Sequence, residues 1–245
     1  MKRRILSVIA SAFVLAAAPA TAGVFFSEYI EGSSFNKALE IFNGTGGILD
    51  LSGGGYFVDI YSNGATTTSS SVSLTGSVAA GDVYVLAHPS ASGIVLAQAD
   101  QTSTGVTFNG NDAIVLRSGS TTLDVFGQIG NDPGSFPLTG WGPPSTLDNT
   151  LVRLDTVFAG DTNGFDLFNP ALEWRGFGQD YFAELGSPML AAIPEPETYA
   201  LLLAGLGLLG FAMRRKRAPS GASRPQSRRS KGQGADSRDF FSLRA

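Results

Sequence analysis

Short stretches in which apolar and polar residues alternate run through the middle of this chain, each bounded by Gly, Asn, Asp or Ser. In Tyr56 to Tyr61, for instance, Val58 and Ile60 fall on one face, opposite Phe57 and Tyr61. A period of two residues is typical of a β-strand, and the intervening Asn-Gly pairs are typical of turns. No segment between them has a helical period of useful length, so the pattern predicts an all-β sandwich. The predicted strands are Val24–Ile30, Ala38–Phe42, Tyr56–Tyr61, Asp82–Ala87, Ala113–Arg117, Leu123–Phe126 and Leu151–Asp155.

The first 22 residues have a different pattern, an apolar run behind a basic start. Lys2-Arg3-Arg4 precede the run Ile5 to Ala18, and Ala20-Thr21-Ala22 follow it. This order is that of a secretory signal peptide, with Ala20 and Ala22 at the positions that signal peptidase reads. An N-terminal membrane anchor is the alternative, but the run is short for a span and a cleavage site follows it. Residues 1–22 are predicted to be removed, so that the exported chain begins near Gly23.

A second apolar run, Thr198 to Met213, lies near the C-terminus. As a helix it would extend about 24 Å, whereas the hydrocarbon core of a bilayer is about 30 Å thick. We expect a short single transmembrane helix over 198–213, which needs local thinning of the bilayer or help from flanking residues. The basic cluster Arg214-Arg215-Lys216-Arg217 follows and is expected on the cytoplasmic side. A buried core helix is disfavoured, because three glycines interrupt the run and a basic cluster follows it.

Charge is distributed unevenly along the chain. Residues 23–192 contain four Lys and Arg against 17 Asp and Glu, a net charge of −13, although the whole chain carries only −4. So acidic a domain would be repelled by nucleic-acid phosphates, and no nucleic-acid partner is expected. The chain has no Cys, so the exported domain must fold without disulfides. Residues 218–245 are rich in Ser, Gly and Arg, a composition that predicts a disordered basic tail.

Three features in order near the C-terminus resemble a known sorting signal. Pro194-Glu195-Pro196, the glycine-bearing apolar run and Arg214-Arg215-Lys216-Arg217 are together similar to the PEP-CTERM signal of Gram-negative bacteria, here over residues 193–217. In that family a membrane protease called exosortase recognises the signal, and it is thought to release the protein to the surface or matrix, typically where exopolysaccharide is made. The resemblance implies an inner-membrane anchor before processing and an exported destination after it. The family's signal normally ends the protein, whereas this chain continues through Ala245.

The β-rich part of the chain resembles the lamin-tail domain. The stretch from Phe26 to Gly44 is similar to the opening strand, loop and second strand of bacterial members. Asn111 to Leu116 resembles a later strand, and Glu173-Trp174 with Leu185-Gly186 resembles the end of the domain. The resemblance implies an immunoglobulin-like antiparallel sandwich over residues 23–192. Bacterial relatives often accompany secreted nucleases or other hydrolases as accessory modules, although no such catalytic neighbour is recognised in this sequence.

Few residues offer catalytic chemistry. His88 is the only histidine and there is no Cys, so neither a zinc site of Cys and His nor a Cys–His nucleophile pair is available. A Ser-His-Asp triad stays formally open, but no G-x-S-x-G sequence supports it. Glu28, Glu31 and Glu40 could supply the paired carboxylates of a glycosidase, or they could fix the first two strands and the loop between them. The structural interpretation is favoured, with Lys37 as a partner for one of them, and no catalytic residue is predicted.

A weak calcium site is one hypothesis for Asp161, Asn163 and Asp166, which present oxygen atoms at near-alternating positions. The spacing departs from an EF-hand loop, which needs Gly at its sixth position and Glu at its twelfth. An Asx-rich turn is the simpler interpretation. No other cofactor is expected.

Aromatic residues are the candidates for binding a sugar. Trp141 and Trp174 could form a stacking platform together with Tyr56, Tyr61 and Phe177, although aromatic residues more often fill a sandwich core. The sequence thus predicts an exported, non-enzymatic surface or matrix protein with a structural or adhesive role. Its expected partners are signal peptidase, an exosortase-type protease and exopolysaccharide or matrix components. Two alternatives stay open, a glycan-binding module and a divalent-ion-dependent secreted hydrolase accessory to nuclease-type systems.

Overall fold

The computed structural model describes residues 22–134, 140–188 and 202–210. Each predicted strand is present, with bounds within about two residues of those expected from the alternating pattern. Helical structure within residues 22–134 and 140–188 is limited to a short helix, α1 (Gly93–Leu96), and two 3-10 turns, Ser62–Gly64 and Pro170–Leu172. The strands are β1 Val24–Glu31, β2 Lys37–Asn43, β3 Leu49–Asp50, β4 Tyr56–Tyr61, β5 Ser70–Ser73, β6 Ser77–Val78, β7 Val83–Ala87, β8 Gln101–Thr102, β9 Ala113–Ser118, β10 Thr121–Phe126, β11 Thr150–Arg153 and β12 Trp174–Phe177.

These strands form two main sheets. The larger has the order β12-β11-β1-β2-β7-β8 and the smaller the order β10-β9-β4-β5, while β3 and β6 pair separately. Neighbouring strands are antiparallel except β7 and β8, which run parallel. The all-β prediction is confirmed, and the arrangement is consistent with an immunoglobulin-like fold.

The main core lies between the two sheets. Phe26, Tyr29 and Leu39 of the larger sheet belong to the same buried cluster as Ile60 and Ile114 of the smaller one. The ring of Tyr29 also stacks on that of Phe126 in β10, with their centroids 4.1 Å apart. Burial of these side chains supplies most of the free energy that holds the sheets together, since removing each from water contributes about 1.5–3 kcal/mol.

A β-bulge in β1 decides which of its side chains face this core. The pairing of β1 with β2 shifts register between Phe26 and Glu28. Phe26 and Tyr29, three residues apart, therefore both reach the core, which strict alternation would not allow. The residues that follow the bulge, Glu28 and Ile30, project from the opposite, outer face of the larger sheet.

A second layer covers part of that outer face. Ile30, Ala38 and Val85 form a buried cluster with Val95 of α1 and Leu185 of the C-terminal segment of the domain. The larger sheet is thus buried on both faces here, which explains why every residue of β1 is buried.

The domain begins with backbone contacts at Gly23. Its N–H donates to the carbonyl of Phe158 at 2.8 Å, and its own carbonyl accepts from the N–H of Gly44 at 3.0 Å. Ala22 is buried beside Phe25 and Phe42. Only glycine fits at position 44, because a Cβ there would lie 2.4 Å from that of Ala22.

A buried ion pair joins the two sheets. Nη1 of Arg153 in β11 lies 3.0 Å from Oδ2 of Asp124 in β10, and both side chains are fully buried. The same Asp124 oxygen accepts the backbone N–H of Phe26 at 2.8 Å, and Nη2 of Arg153 lies 2.9 Å from Oε2 of Glu173. The sequence pattern did not predict this pair. The available signal was an Arg at the end of an apolar strand, in a domain that contains four basic residues.

The chain divides into two compact units, Met1–Thr198 and Tyr199–Ala245. In the second unit the structure describes a helix over residues 202–210. Among the described residues no helix has both the length and the apolar character needed to span a membrane. Most of the signal peptide, the PEP tripeptide, the basic cluster and the tail lie outside the described residues, as do both ends of the predicted 198–213 helix.

Candidate functional site

A cavity of about 350 Å³ lies against the outer face of the larger sheet, at the level of the bulge in β1. Its lining includes Ser27 and Glu28 of β1, Glu40 of β2 and Val152 of β11. Glu28 is the register partner of both Glu40 and Val152, so the three form one row across the sheet. Glu184 and Ser187 of the C-terminal segment of the domain complete the cavity on another side.

Two carboxylates stand directly opposite each other in this row. Residues opposed on antiparallel strands have Cβ atoms about 4.5–5.5 Å apart, and like charges there are destabilising. Glu40 has hydrogen-bond partners: the Ser27 hydroxyl donates to Oε1 and the N–H of Gly186 donates to Oε2, each at 2.7 Å. Glu28 has none, for both its carboxylate oxygens are buried without a partner and the residue is 1% exposed.

Burial perturbs the titration of both groups. It raises the pKa of Glu28 from 4.5 to about 9, with further repulsion from Glu40 and Glu184. Burial also raises the pKa of Glu40 to about 7, although the Ser27 and Gly186 hydrogen bonds oppose the rise. At neutral pH without a bound cation, Glu28 is therefore protonated and Glu40 is near its midpoint.

Arg175, one of two arginines in the cavity lining, is already paired. Nη2 of Arg175 lies 3.1 Å from Oε2 of Glu184, and the Arg175 guanidinium also sits 4.9 Å from the centre of the Phe177 ring. Within the described residues neither Glu28 nor Glu40 has a salt-bridge partner. The cavity thus has an excess of negative charge whenever these carboxyls ionise.

Glu31, the third glutamate named in the sequence analysis, forms its contacts away from this row. It pairs with Lys37, its register partner in β2, and accepts the backbone N–H of Asp148. Nζ of Lys37 also donates to the carbonyl of Gly32 at 2.8 Å. The prediction that Lys37 pairs with one of the three carboxylates and fixes the loop is confirmed for Glu31.

Comparison with family models supplied two matches. Residues 17–130 match the Lamin Tail Domain, and residues 192–217 match the PEP-CTERM protein-sorting motif. The chain is a PEP-CTERM protein with a lamin-tail-like domain. Comparison with curated proteins and with solved structures found no match.

In this PEP-CTERM protein the lamin-tail match ends before β11 and β12. Glu28 and Glu40 lie inside the matched region, whereas Val152 and Glu184 lie beyond it. The cavity is therefore built from matched and unmatched parts of the domain together. The likeness proposed for Glu173-Trp174 and Leu185-Gly186 falls outside the match and stays a prediction.

His88 of the PEP-CTERM protein is a buried residue that follows β7. Its Nδ1 accepts the backbone N–H of Ser90 at 3.1 Å, and its ring stacks on Phe35 with centroids 4.5 Å apart. These contacts agree with the interpretation of His88 as a strand-end residue that supports a turn.

The aromatic platform proposed at the two tryptophans is corrected by the structure. Trp141 is 6% exposed and Trp174 is 3% exposed, so neither indole can stack on a sugar ring. Trp174 packs edge-on against Phe126, and Trp141 packs edge-on against Phe168. Both indoles are core side chains, and Phe177 is the member of the proposed set that stacks near the cavity, on Tyr181 at 4.1 Å.

Two of the three calcium candidates, Asp161 and Asn163, accept hydrogen bonds from the neighbouring backbone. Oδ1 of Asp161 accepts the N–H of Asn163 at 2.8 Å, and Oδ1 of Asn163 accepts the N–H of Phe165 at 3.3 Å. These contacts form the Asx turns of the simpler interpretation. In residues 22–134, 140–188 and 202–210, no group of three or more His, Asp or Glu is arranged to hold a metal ion.

Proposed function

We propose that this protein is an exported, non-enzymatic component of the cell surface or extracellular matrix, with a structural or adhesive role. The observation that carries the proposal is the PEP-CTERM protein-sorting match at residues 192–217, which follows a β-sandwich domain. A sorting motif determines where a protein is delivered. A sandwich whose loops are held by a rigid scaffold suits recognition outside the cell.

The proposed route begins with removal of residues 1–22 by signal peptidase. The helix over 198–213 then holds the domain on the outer side of the inner membrane, with Arg214 to Arg217 inside. An exosortase-type protease releases the domain, which becomes available to exopolysaccharide or other matrix components. The net charge of −13 on residues 23–192 favours solubility after release.

Mass spectrometry of both chain termini in fractionated cells tests this route. In cells that contain an exosortase-type protease, we expect a product that begins near Gly23, ends near Pro194 and lies outside the inner membrane. Replacing the tripeptide in a Pro194→Ala, Glu195→Gln, Pro196→Ala variant should leave an unprocessed chain in the membrane. A matched control, Arg228→Gln with Arg229→Gln in the tail, should be processed normally. A wild-type chain intact through Ala245 in the inner membrane would overturn the proposal.

One observation favours a second candidate function, a secreted hydrolase. Glu28 and Glu40 line one cavity and have different raised pKa values, as an acid and base pair would. Against it, both carboxylate oxygens of Glu28 are buried, so a polymeric substrate has no access to them, although a single ion is small enough to enter. Hydrolysis of a polysaccharide or nucleic acid that disappears in Glu28→Gln and persists in Asp166→Asn, an exposed carboxylate, would establish the hydrolase instead.

A further inference from the structure

When both carboxyls ionise, the opposed side chains of Glu28 and Glu40 need a compensating charge, and no side chain among the described residues supplies it. Residues 23–192 contain four basic side chains, and each is already paired with another carboxylate. Lys37 pairs with Glu31, Arg117 with Asp59, Arg153 with Asp124 and Glu173, and Arg175 with Glu184. No basic side chain of the domain is therefore left for this row.

The unpartnered state of Glu28 is a second, independent observation. A buried carboxyl usually accepts or donates hydrogen bonds, because leaving it without a partner is costly in free energy. Both carboxylate oxygens of Glu28 lack a hydrogen-bond partner. Both oxygens of the neighbouring Glu40 accept hydrogen bonds, one from Ser27 and one from Gly186. The row that carries Glu28 faces the cavity, so a ligand could supply the missing interaction from that side.

The available atoms suit one class of ligand. Both oxygens of Glu28 are free, Glu40 retains further lone pairs, and the Ser27 hydroxyl adds a neutral oxygen within the same lining. Carboxylate and hydroxyl oxygens are the donors that hard divalent cations prefer. Two ionised carboxylates would balance a charge of +2, and a cavity of about 350 Å³ leaves room for the waters that complete the coordination.

We propose that this cavity binds a divalent cation of the calcium class between the carboxylates of Glu28 and Glu40. Because only two carboxylates take part, the site is weak, with a dissociation constant of about 10⁻⁴ to 10⁻³ M, as in extracellular calcium modules. The site is separate from the Asp161 turn, whose side-chain oxygens accept backbone N–H groups.

Binding is coupled to proton release, because a cation requires the ionised form of both glutamates. Burial raises the pKa of both groups, so protons compete with the cation at low pH. The other charged residues of the cavity lining are Asp155, Glu184, Arg175 and Arg153, whose guanidinium pairs with Asp124, and Asp100 lies near Glu40. We therefore expect tighter binding as the pH rises from about 6 to 8.5.

The test is isothermal titration of the full chain in detergent with calcium chloride, after treatment with a chelator, at about pH 6 and 8.5. We expect binding at the higher pH, and an affinity at least about tenfold lower in Glu28→Gln and in Glu40→Gln. Glu28→Gln removes a buried ionisable group while keeping its shape, so it should fold. The control Asp161→Asn should bind calcium as the wild type does.

Thermal unfolding of the same proteins distinguishes calcium binding at this site from the general screening of charges by salt. Calcium should raise the midpoint of the wild type more than sodium chloride does at equal ionic strength, and the difference should vanish in Glu28→Gln. The proposal is overturned if calcium does not bind up to about 10 mM at the higher pH, ten times the weak limit expected for such sites. It is equally overturned if Glu28→Gln binds as well as the wild type, or if Asp161→Asn is the variant that loses binding.

Discussion

Replacing Glu28 by Gln should change how the stability of the domain depends on pH. In the folded state the pKa of Glu28 is raised to about 9, against 4.5 for an ordinary glutamate, and burial is the main cause. Below pH 4.5 both the folded and the unfolded chain hold this proton. Between the two pKa values only the folded chain holds it, so the stability that the wild type derives from this group is lost as the pH rises towards 9.

The size of this change in stability follows from the binding of one proton. A difference of one bound proton changes the free energy of unfolding by about 1.4 kcal/mol per pH unit. In Glu28→Gln this dependence is absent, so the variant should gain stability over the wild type by about 3 kcal/mol between pH 6 and 8. Glu40 titrates in both proteins, and subtracting one curve from the other largely removes its contribution.

Urea unfolding in the presence of a chelator measures this difference at intervals of pH. Both tryptophans of the chain, Trp141 and Trp174, are buried, so their fluorescence reports unfolding of the domain. The control is Asp166→Asn, which removes an exposed carboxylate that does not line the cavity. Parallel curves for Glu28→Gln and the wild type across this range would show that Glu28 is ionised in the folded protein, and the reasoning from burial would be refuted.

Three further substitutions test the packing and the backbone geometry of the domain. Asp124→Asn leaves Arg153 buried without its main carboxylate partner and should destabilise the domain by about 3 kcal/mol or more in urea unfolding; an effect below about 1 kcal/mol would contradict the role of the pair. Trp174→Ala should lower stability by about 3–5 kcal/mol by circular dichroism, as expected for a core indole, whereas a platform residue would change little. Gly110→Ala should cost about 2 kcal/mol or more in thermal unfolding, because Gly110 has a φ of +92° and a Cβ there would lie 2.6 Å from Cα of Leu147; an unchanged midpoint would count against the turn geometry.

The alternating pattern predicted the strands well because each main strand places one face against a core. Val58 and Ile60 of β4, for example, lie in the main core as their spacing indicated. The pattern could not predict the bulge in β1, since the register shift after Phe26 depends on how β2 pairs with it. Predictions that rest on sequence spacing therefore fail where a bulge decides which face a side chain occupies.

The candidate site was predictable only in its residue types. Glu28 and Glu40 stood out in the sequence, but their register pairing, and the separation of Glu31 from them, follow from the hairpin geometry of β1 and β2. The tryptophans illustrate the opposite difficulty. An aromatic residue looks the same in the sequence whether it fills a core or lines a surface. The burial of Trp141 and Trp174 follows from tertiary packing, which the sequence pattern does not show.

The backbone contacts at Gly23 bear on the predicted removal of residues 1–22. A protease must hold the bond it cuts in an extended, accessible form, but the Ala22–Gly23 bond lies between a buried side chain and a residue paired with Phe158 and Gly44. Phe158 is far along the chain, so this pairing forms only after most of the domain has emerged from the membrane. The predicted removal of residues 1–22 therefore requires a precursor that is not yet folded, because the completed sandwich shields the Ala22–Gly23 bond.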